Sequence, residues 1–310
     1  MADTRSVNRR PGCVFRGSGA LGAQGGARYG CADVLNAFCR ARPVKNARKH
    51  AFRRSAHRRG PADANFGRRR AGAEQGGVIL YGWHTVTAAL ANPARHIRKL
   101  LATENALRRL ADEGVRLPVE PELVRPDTIA ARLSADAVHQ GLFAEADPLP
   151  APALTDLSAA GIVLVLDQIT DPHNVGAILR TAAAFAVAAV VTTARHSPEA
   201  TGVLAKSASG ALEWVPIAIV QNLARALGEM KEQGFLVVGL DSDAADDLAA
   251  IPLSPPLALV LGAEGKGLRQ GTRAVCERLA RLDLPGAIKS LNVSNAAALS
   301  LYVASRAVRA

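Results

Sequence analysis

From Gly161 onward the chain carries a series of short aliphatic runs, IVLVLD, VAAVVTT, VPIAIV, FLVVGL and LALVLG, closed by the more polar RLDLP. A strand with one wet face alternates apolar and polar side chains. These runs are apolar at consecutive positions, so both faces must be covered. Segments able to form helices separate them, and the pattern predicts an α/β domain over residues 161–310: a parallel sheet of about six strands with helices on each side. Ligands of such open sheets settle outside the carboxyl ends of the strands, which directs attention to the turn after each run.

Residues 76–146 read as a smaller α/β unit. VILY (78–81) leads into a helix through Ala91, followed by strand-like IRKLLAT, helix-like ENALRRLADEG, a short VRLPVE, helix-like RPDTIAARLSA and strand-like GLFAEA. The proline-rich DPLPAPALTD within 147–160 reads as a linker. Residues 1–75 differ in kind. They hold 17 Lys and Arg against 4 Asp and Glu, a net of +13, while the other 235 residues carry 21 basic and 23 acidic groups. The formal charge of +11 is therefore a property of the tail. Segments such as RPVKNARKHAFRRSAHRRG have few apolar residues and no period, so the tail is expected to stay disordered and to attract phosphates through counterion release. A solvated spacer, an organelle-targeting segment or a mis-set start codon would have the same composition. No apolar run reaches the roughly 18 residues of a membrane span, and no secretory signal is evident, so a cytoplasmic setting is expected. Cys13, Cys31, Cys39 and Cys276 form no C-x-x-C pair, which argues against a metal site, and Cys276 reads as a small core residue.

Three post-strand turns carry more polarity than a fold requires. In LVLDQITDPHNVGAILRTAAAF (164–185), Asp167 reaches the sheet edge and Asn174 is suited to cap the next helix. Arg180 follows Gly176 by one turn, so its side chain leans back over a position without a side chain and offers a guanidinium to the mouth of the sheet. A capped helix with a surface arginine is the plainer alternative. In LVLGAEGKGL, Gly262, Gly265 and Gly267 surround Glu264; neither the Walker nor the dinucleotide glycine spacing is present. Glu264 would repel phosphates, favouring a ligand with a positive charge or hydroxyls, although an ordinary glycine turn is equally compatible. In LPGAIKSLNVSNAAALSLYVASR (284–306), Ser290, Asn292, Ser294 and Asn295 outnumber the one cap a helix needs, and the Ala-rich helix beyond them suits a core or a subunit interface.

DPHNVGAILRTA, GAEGKGL and LPGAIKSLNVSNAAAL resemble, in order and spacing, the three motifs of the SpoU family of RNA ribose 2′-O-methyltransferases, across residues 161–306. YGWHTVTAAL and AVHQGLFAEA resemble the family's small substrate-binding domain, in the form found in bacterial enzymes acting on guanosine of 23S ribosomal RNA. The resemblance implies a trefoil-knotted sheet, S-adenosylmethionine bound in a bent conformation, an RNA partner and a homodimer. General folding rules alone would argue against a knot. By position, the resemblance assigns functional roles to Asn174, Arg180, Glu264, Ser290 and Asn292. It assigns cofactor contacts to Gly262, Leu282 and Leu291, with Gly267 and Leu284 beside them. Asp283 departs from the proline often found there in relatives.

A dinucleotide-dependent oxidoreductase would use the same kind of sheet, but its glycine fingerprint is absent. A non-catalytic RNA-binding assembly factor would be expected to have lost the polar residues that are intact here. A transfer RNA substrate remains an alternative for the same chemistry. If the tail's charge serves RNA capture, deleting residues 1–75 will weaken RNA binding and flatten its dependence on salt without changing cofactor affinity, as read by a salt titration of both binding constants.

Overall fold

The computed structural model describes residues 77–157, 161–195 and 202–309; the expected basic tail, 1–75, lies outside the described residues, as do 158–160 of the expected linker. None of the described helices is long and apolar enough to cross a membrane. Two sheets organise the described chain.

The smaller sheet comprises β1 (Val78–Tyr81), β2 (Ile97–Ala102), β3 (Glu122–Leu123) and β4 (Leu142–Ala146), in the order β1-β4-β2-β3. Strand β4 runs antiparallel to both neighbours, and β3 lies parallel to β2. Its helices are α1 (Trp83–Ala91), α2 (Glu104–Asp112) and α3 (Pro126–Ala130). Thr103 caps α2 by accepting from the Ala106 amide, and Trp83, Val86, Leu100, Leu110 and Leu142 fill the core between α1, α2 and the sheet. Two elements differ from expectation. The strand expected near VRLPVE falls just beyond it, at Glu122–Leu123, and the helix expected over RPDTIAARLSA is only the five residues of α3. Of that stretch only Ile129 is buried, so packing has nothing with which to extend the helix.

The larger sheet has seven strands, all parallel: β5 (Ile162–Asp167), β6 (Ala189–Thr193), β7 (Ile217–Val220), β8 (Leu236–Leu240), β9 (Asp246–Asp247), β10 (Leu257–Gly262) and β11 (Arg278–Arg281). Their order is β7-β6-β5-β10-β8-β11-β9. The central strands are buried on both faces as the aliphatic runs required. Ile162, Leu164 and Leu166 of β5 pack with α4 (Pro172–Ala184), α5 (Gly202–Ala208) and α8 (Val293–Arg309), while Val163 and Val165 pack with α6 (Leu223–Glu232) and the end of α7 (Gln270–Val275). Each such side chain contributes about 1.5–3 kcal/mol on burial.

The last expected strand, RLDLP, is displaced: β11 ends at Arg281, and Leu282 to Leu284 leave the sheet. Within β11 only Ala280 is buried, so the pairing with β8 holds a segment that has no aliphatic run to announce it. The two-residue β9 extends the edge beyond β11. Cys276, expected in a core, is partly buried against the α6–α7 layer, and burial pushes its thiol up to about 11, so it is a poor nucleophile.

The two sheets are joined through a polar lock as well as by the chain. Arg95, beside β2, and Glu213, in the short 3-10 turn Ala211–Glu213, form a two-pronged ion pair at 2.7 and 3.1 Å, with side chains only 3% and 2% exposed. Asn92 donates to the same carboxylate at 2.8 Å, and Arg95 also donates to the Asp147 carbonyl at 2.7 Å. The buried Thr85 hydroxyl of α1 donates to the Ala205 carbonyl of α5 at 3.1 Å. A buried charge must be paired, so Glu213→Ala, which strands Arg95, is expected to cost about 3–5 kcal/mol. The pair Arg95→Met with Glu213→Leu should recover most of that loss, as read by chemical denaturation.

Candidate active site at the carboxyl edge of the parallel sheet

Strands β5 and β10 pair in register from Ile162 with Leu257 to Asp167 with Gly262. The first and second polar turns therefore leave the sheet side by side. Asp167 is fully buried, and it is the anchor of the second turn: one carboxylate oxygen accepts from Arg269 Nε at 2.6 Å and the other from the Arg269 amide at 3.0 Å. Between these fixed points the chain reverses tightly, with the Gly267 amide donating to the Ala263 carbonyl at 2.8 Å. A side chain at Gly262 would collide with the Gly267 backbone. The absence of a side chain at Gly262 thus serves the closure of its own loop, while the residue still reaches the cavity lining.

Past this loop, a cavity of about 590 Å³ opens at the ends of β8, β10 and β11, within the size range of small-molecule sites. Gly262, Glu264 and Gly267 of the second turn line it, as do Leu282, Leu284, Ser290 and Leu291 of the third. Seven of the ten residues singled out in the sequence thus share one recess. The cavity also takes in Asp241 and Ser242, which follow β8 and were not singled out. Their signal was available, because Asp241 directly follows FLVVGL much as Asp167 closes IVLVLD. The Asp241 carboxylate is paired with Arg273, Lys289 is held by the Leu284 carbonyl at 2.6 Å, and Arg281 donates to the Ala244 carbonyl at 3.0 Å. Among the described residues, Glu264 is exposed and has no such partner. This wall suits a ligand bearing a cationic centre together with groups that bond to backbone.

The remaining three candidates, Asn174, Arg180 and Asn292, are not in the cavity lining. Asn292 donates to the Asn174 side-chain oxygen at 3.0 Å, joining the third turn to the first, and its own oxygen accepts from the Ser294 amide at 2.9 Å and from the Ser294 hydroxyl at 2.6 Å. The cap expected of Asn174 belongs to Asp171, which accepts from the His173 amide at 3.0 Å. Asn174 is thereby released from helix capping for the contact with Asn292. Arg180 is exposed within α4, and among the described residues its side chain has no hydrogen bond or ion pair. The missing side chain at Gly176, over which Arg180 is expected to lean, admits Ser207 and the backbone of α5. Close packing of two helices explains that glycine fully.

Residues 161–302 match the SpoU rRNA Methylase family and residues 79–152 match the family described as RNA 2′-O ribose methyltransferase substrate binding. A 23S rRNA (guanosine-2′-O-)-methyltransferase from Ralstonia nicotianae is 38% identical over 242 residues, covering 74% of this chain and 95% of that one. A protein of the same name from Pseudomonas putida is 36% identical, covering 73% and 95%. The solved structure of a putative RNA methyltransferase of the TrmH family from Porphyromonas gingivalis superposes with a TM-score of 0.63 at 29% identity, covering 74% of this chain and 90% of that chain. The SpoU methyltransferase AviRb from Streptomyces viridochromogenes, solved in complex with AdoMet, shares the fold with a TM-score of 0.64 at 23% identity, over 74% and 90% of the two chains. With its three polar turns gathered at one sheet edge and relatives matched over nearly their whole length, the chain belongs to the SpoU family of RNA methylases.

Proposed function

We propose that this protein transfers a methyl group from S-adenosylmethionine to a ribose 2′-hydroxyl of RNA, and that a guanosine of 23S ribosomal RNA is the target. One observation carries the reading. The second and third turns enclose the cavity, while the Asn174–Asn292 contact ties the first turn to its rim. The relatives named above support the choice of substrate. Such work belongs in the cytoplasm.

The cofactor, when bound, supplies an electrophilic methyl group on a sulfonium. Gly262, Gly267, Leu282, Leu284 and Leu291 are the residues that would hold it, largely through backbone, and the uncompensated Glu264 carboxylate suits its positive charge. A ribose hydroxyl is a weak nucleophile, so the chain must position it and help its proton depart. Arginine stays protonated in proteins and is a poor resting base. Arg180 therefore acts as a cation that holds the neighbouring phosphate and stabilises the developing alkoxide as the hydroxyl proton passes to solvent water. Ser290, Asn174 and Asn292 orient the sugar at the rim.

The trefoil knot and a homodimer belong to the same proposal. Leu299 and Tyr302 stand 45% and 54% exposed on α8, an apolar face suited to a second copy. Helix α4 packs beside α8, so a dimer formed there offers Arg180 a route to the partner's cavity. In this reading the four-stranded unit, residues 76–146, is the RNA-binding domain and residues 161–310 the methyltransferase.

Single-turnover methylation of transcribed 23S ribosomal RNA tests the proposal, with transfer RNA as the comparison. Arg180→Ala should slow transfer by roughly 10² or more while melting temperature and cofactor affinity hold. Arg180→Lys should restore little, because a point charge does not replace a planar fork. Near-normal turnover in Arg180→Ala would reduce Arg180 to a surface residue.

A further inference from the structure

The two segments that carry the small unit's resemblance, YGWHTVTAAL and AVHQGLFAEA, do not line the cavity; they meet on Lys206 of α5 in the larger unit. Lys206 Nζ donates to Gln140 Oε1 at 3.2 Å, and its side chain lies against Gly82, where any side chain would collide with it. The same Gln140 oxygen accepts from the Trp83 amide at 3.0 Å. Gln140 holds a left-handed backbone, φ 53°, which is uncommon outside glycine and clusters at functional positions. Among the described residues Lys206 has no carboxylate partner, and partial burial lowers its pKa. It is a cation set against a neutral amide, with room in its coordination for an anion.

Polar groups continue in both directions. Toward the catalytic rim, Ser207 Oγ lies 3.3 Å from His173 Nδ1, and His173 precedes the Asn174 that pairs with Asn292. Away from it, Asn105, Arg109, His139, Gln140 and Trp83 enclose a recess of about 290 Å³. There the Arg109 guanidinium stacks on the Trp83 ring at 3.7 Å, with Glu113 holding its Nε at 2.9 Å. Arg109 is exposed, so the outer face of this plane is open for a further flat group.

We propose that this strip, from the Asn174–Asn292 pair over His173, Ser207 and Lys206 to the Arg109 recess, is the path of the RNA. A backbone phosphate sits on Lys206 and an unpaired base lies against the outer face of Arg109. The ligand is a strand and not a mononucleotide, because the strip crosses both units and alternates hydrogen-bonding groups, one free cation and a stacking plane. The inference rests on the reading of the chain as an RNA methyltransferase.

The test uses the full chain and transcribed 23S ribosomal RNA, measuring binding across a salt series. Lys206→Gln should weaken binding about tenfold and flatten the slope of log affinity against log salt by about 0.7–0.9, the value of one phosphate contact. Lys206→Arg should restore the slope, and Arg225→Gln, on the opposite side of the sheet, should leave it unchanged. Asn105→Lys, an exposed change that does not threaten folding, should steepen the slope by the same amount. An unchanged slope in both Lys206→Gln and Asn105→Lys overturns the path, as does an equal loss from Arg225→Gln. If the unaltered protein methylates no RNA, the functional reading fails; if it does and the slopes do not move, only the path fails.

Discussion

The site depends on one buried charge. Asp167 ends a strand whose every residue is buried, and a carboxylate in that position is tolerated only because Arg269 meets it with a side chain and a backbone amide at once. That contact fixes where the loop after β10 returns to the sheet. The return places Gly267 over Gly262, and the folded loop forms one wall of the cavity. The polar turn after the first aliphatic run is therefore divided between two tasks. Its first residue anchors a neighbouring loop, and Asn174, farther on, reaches Asn292 across the rim.

A second buried pair, Arg95 with Glu213, does for the two sheets what Asp167 does for the loops. Because Arg95, Glu213 and Asn92 satisfy one another's hydrogen-bonding groups away from water, the small unit has a defined seat on α5 and the turn after it. The proline-rich stretch reads as a mere tether, yet the Asp147 carbonyl at its start is itself part of the lock. A defined seat gives meaning to the alignment of Lys206 with Gln140: the proposed RNA path needs the two units to keep their spacing.

The sequence readings that failed did so for a common reason. Asn174 looked like a cap because caps are recognised from local spacing, and Asp171 lies only three residues earlier with the same chemistry. At Gly176 and Gly262 the sequence shows that something approaches closely, because a glycine announces close approach without saying what approaches. In both cases the visitor is the chain itself, Ser207 in one and Gly267 in the other. Strand β11 was misplaced by several residues because it alternates Arg, Leu, Ala and Arg and is held by its pairing with β8.

What the sequence by itself determined is the layered parallel sheet and the three turns that matter, since consecutive aliphatic residues can be buried on both faces in few other ways and surplus polar side chains after a strand need a purpose. Family resemblance rests on those same turns. Tertiary structure alone decided which of the polar residues converge. It brought Asp167 to Arg269, 102 positions away, Asn174 to Asn292, 118 away, and Lys206 to Gln140, 66 away. Contacts at such separations follow from strand order and helix packing, which no local pattern of residue types encodes.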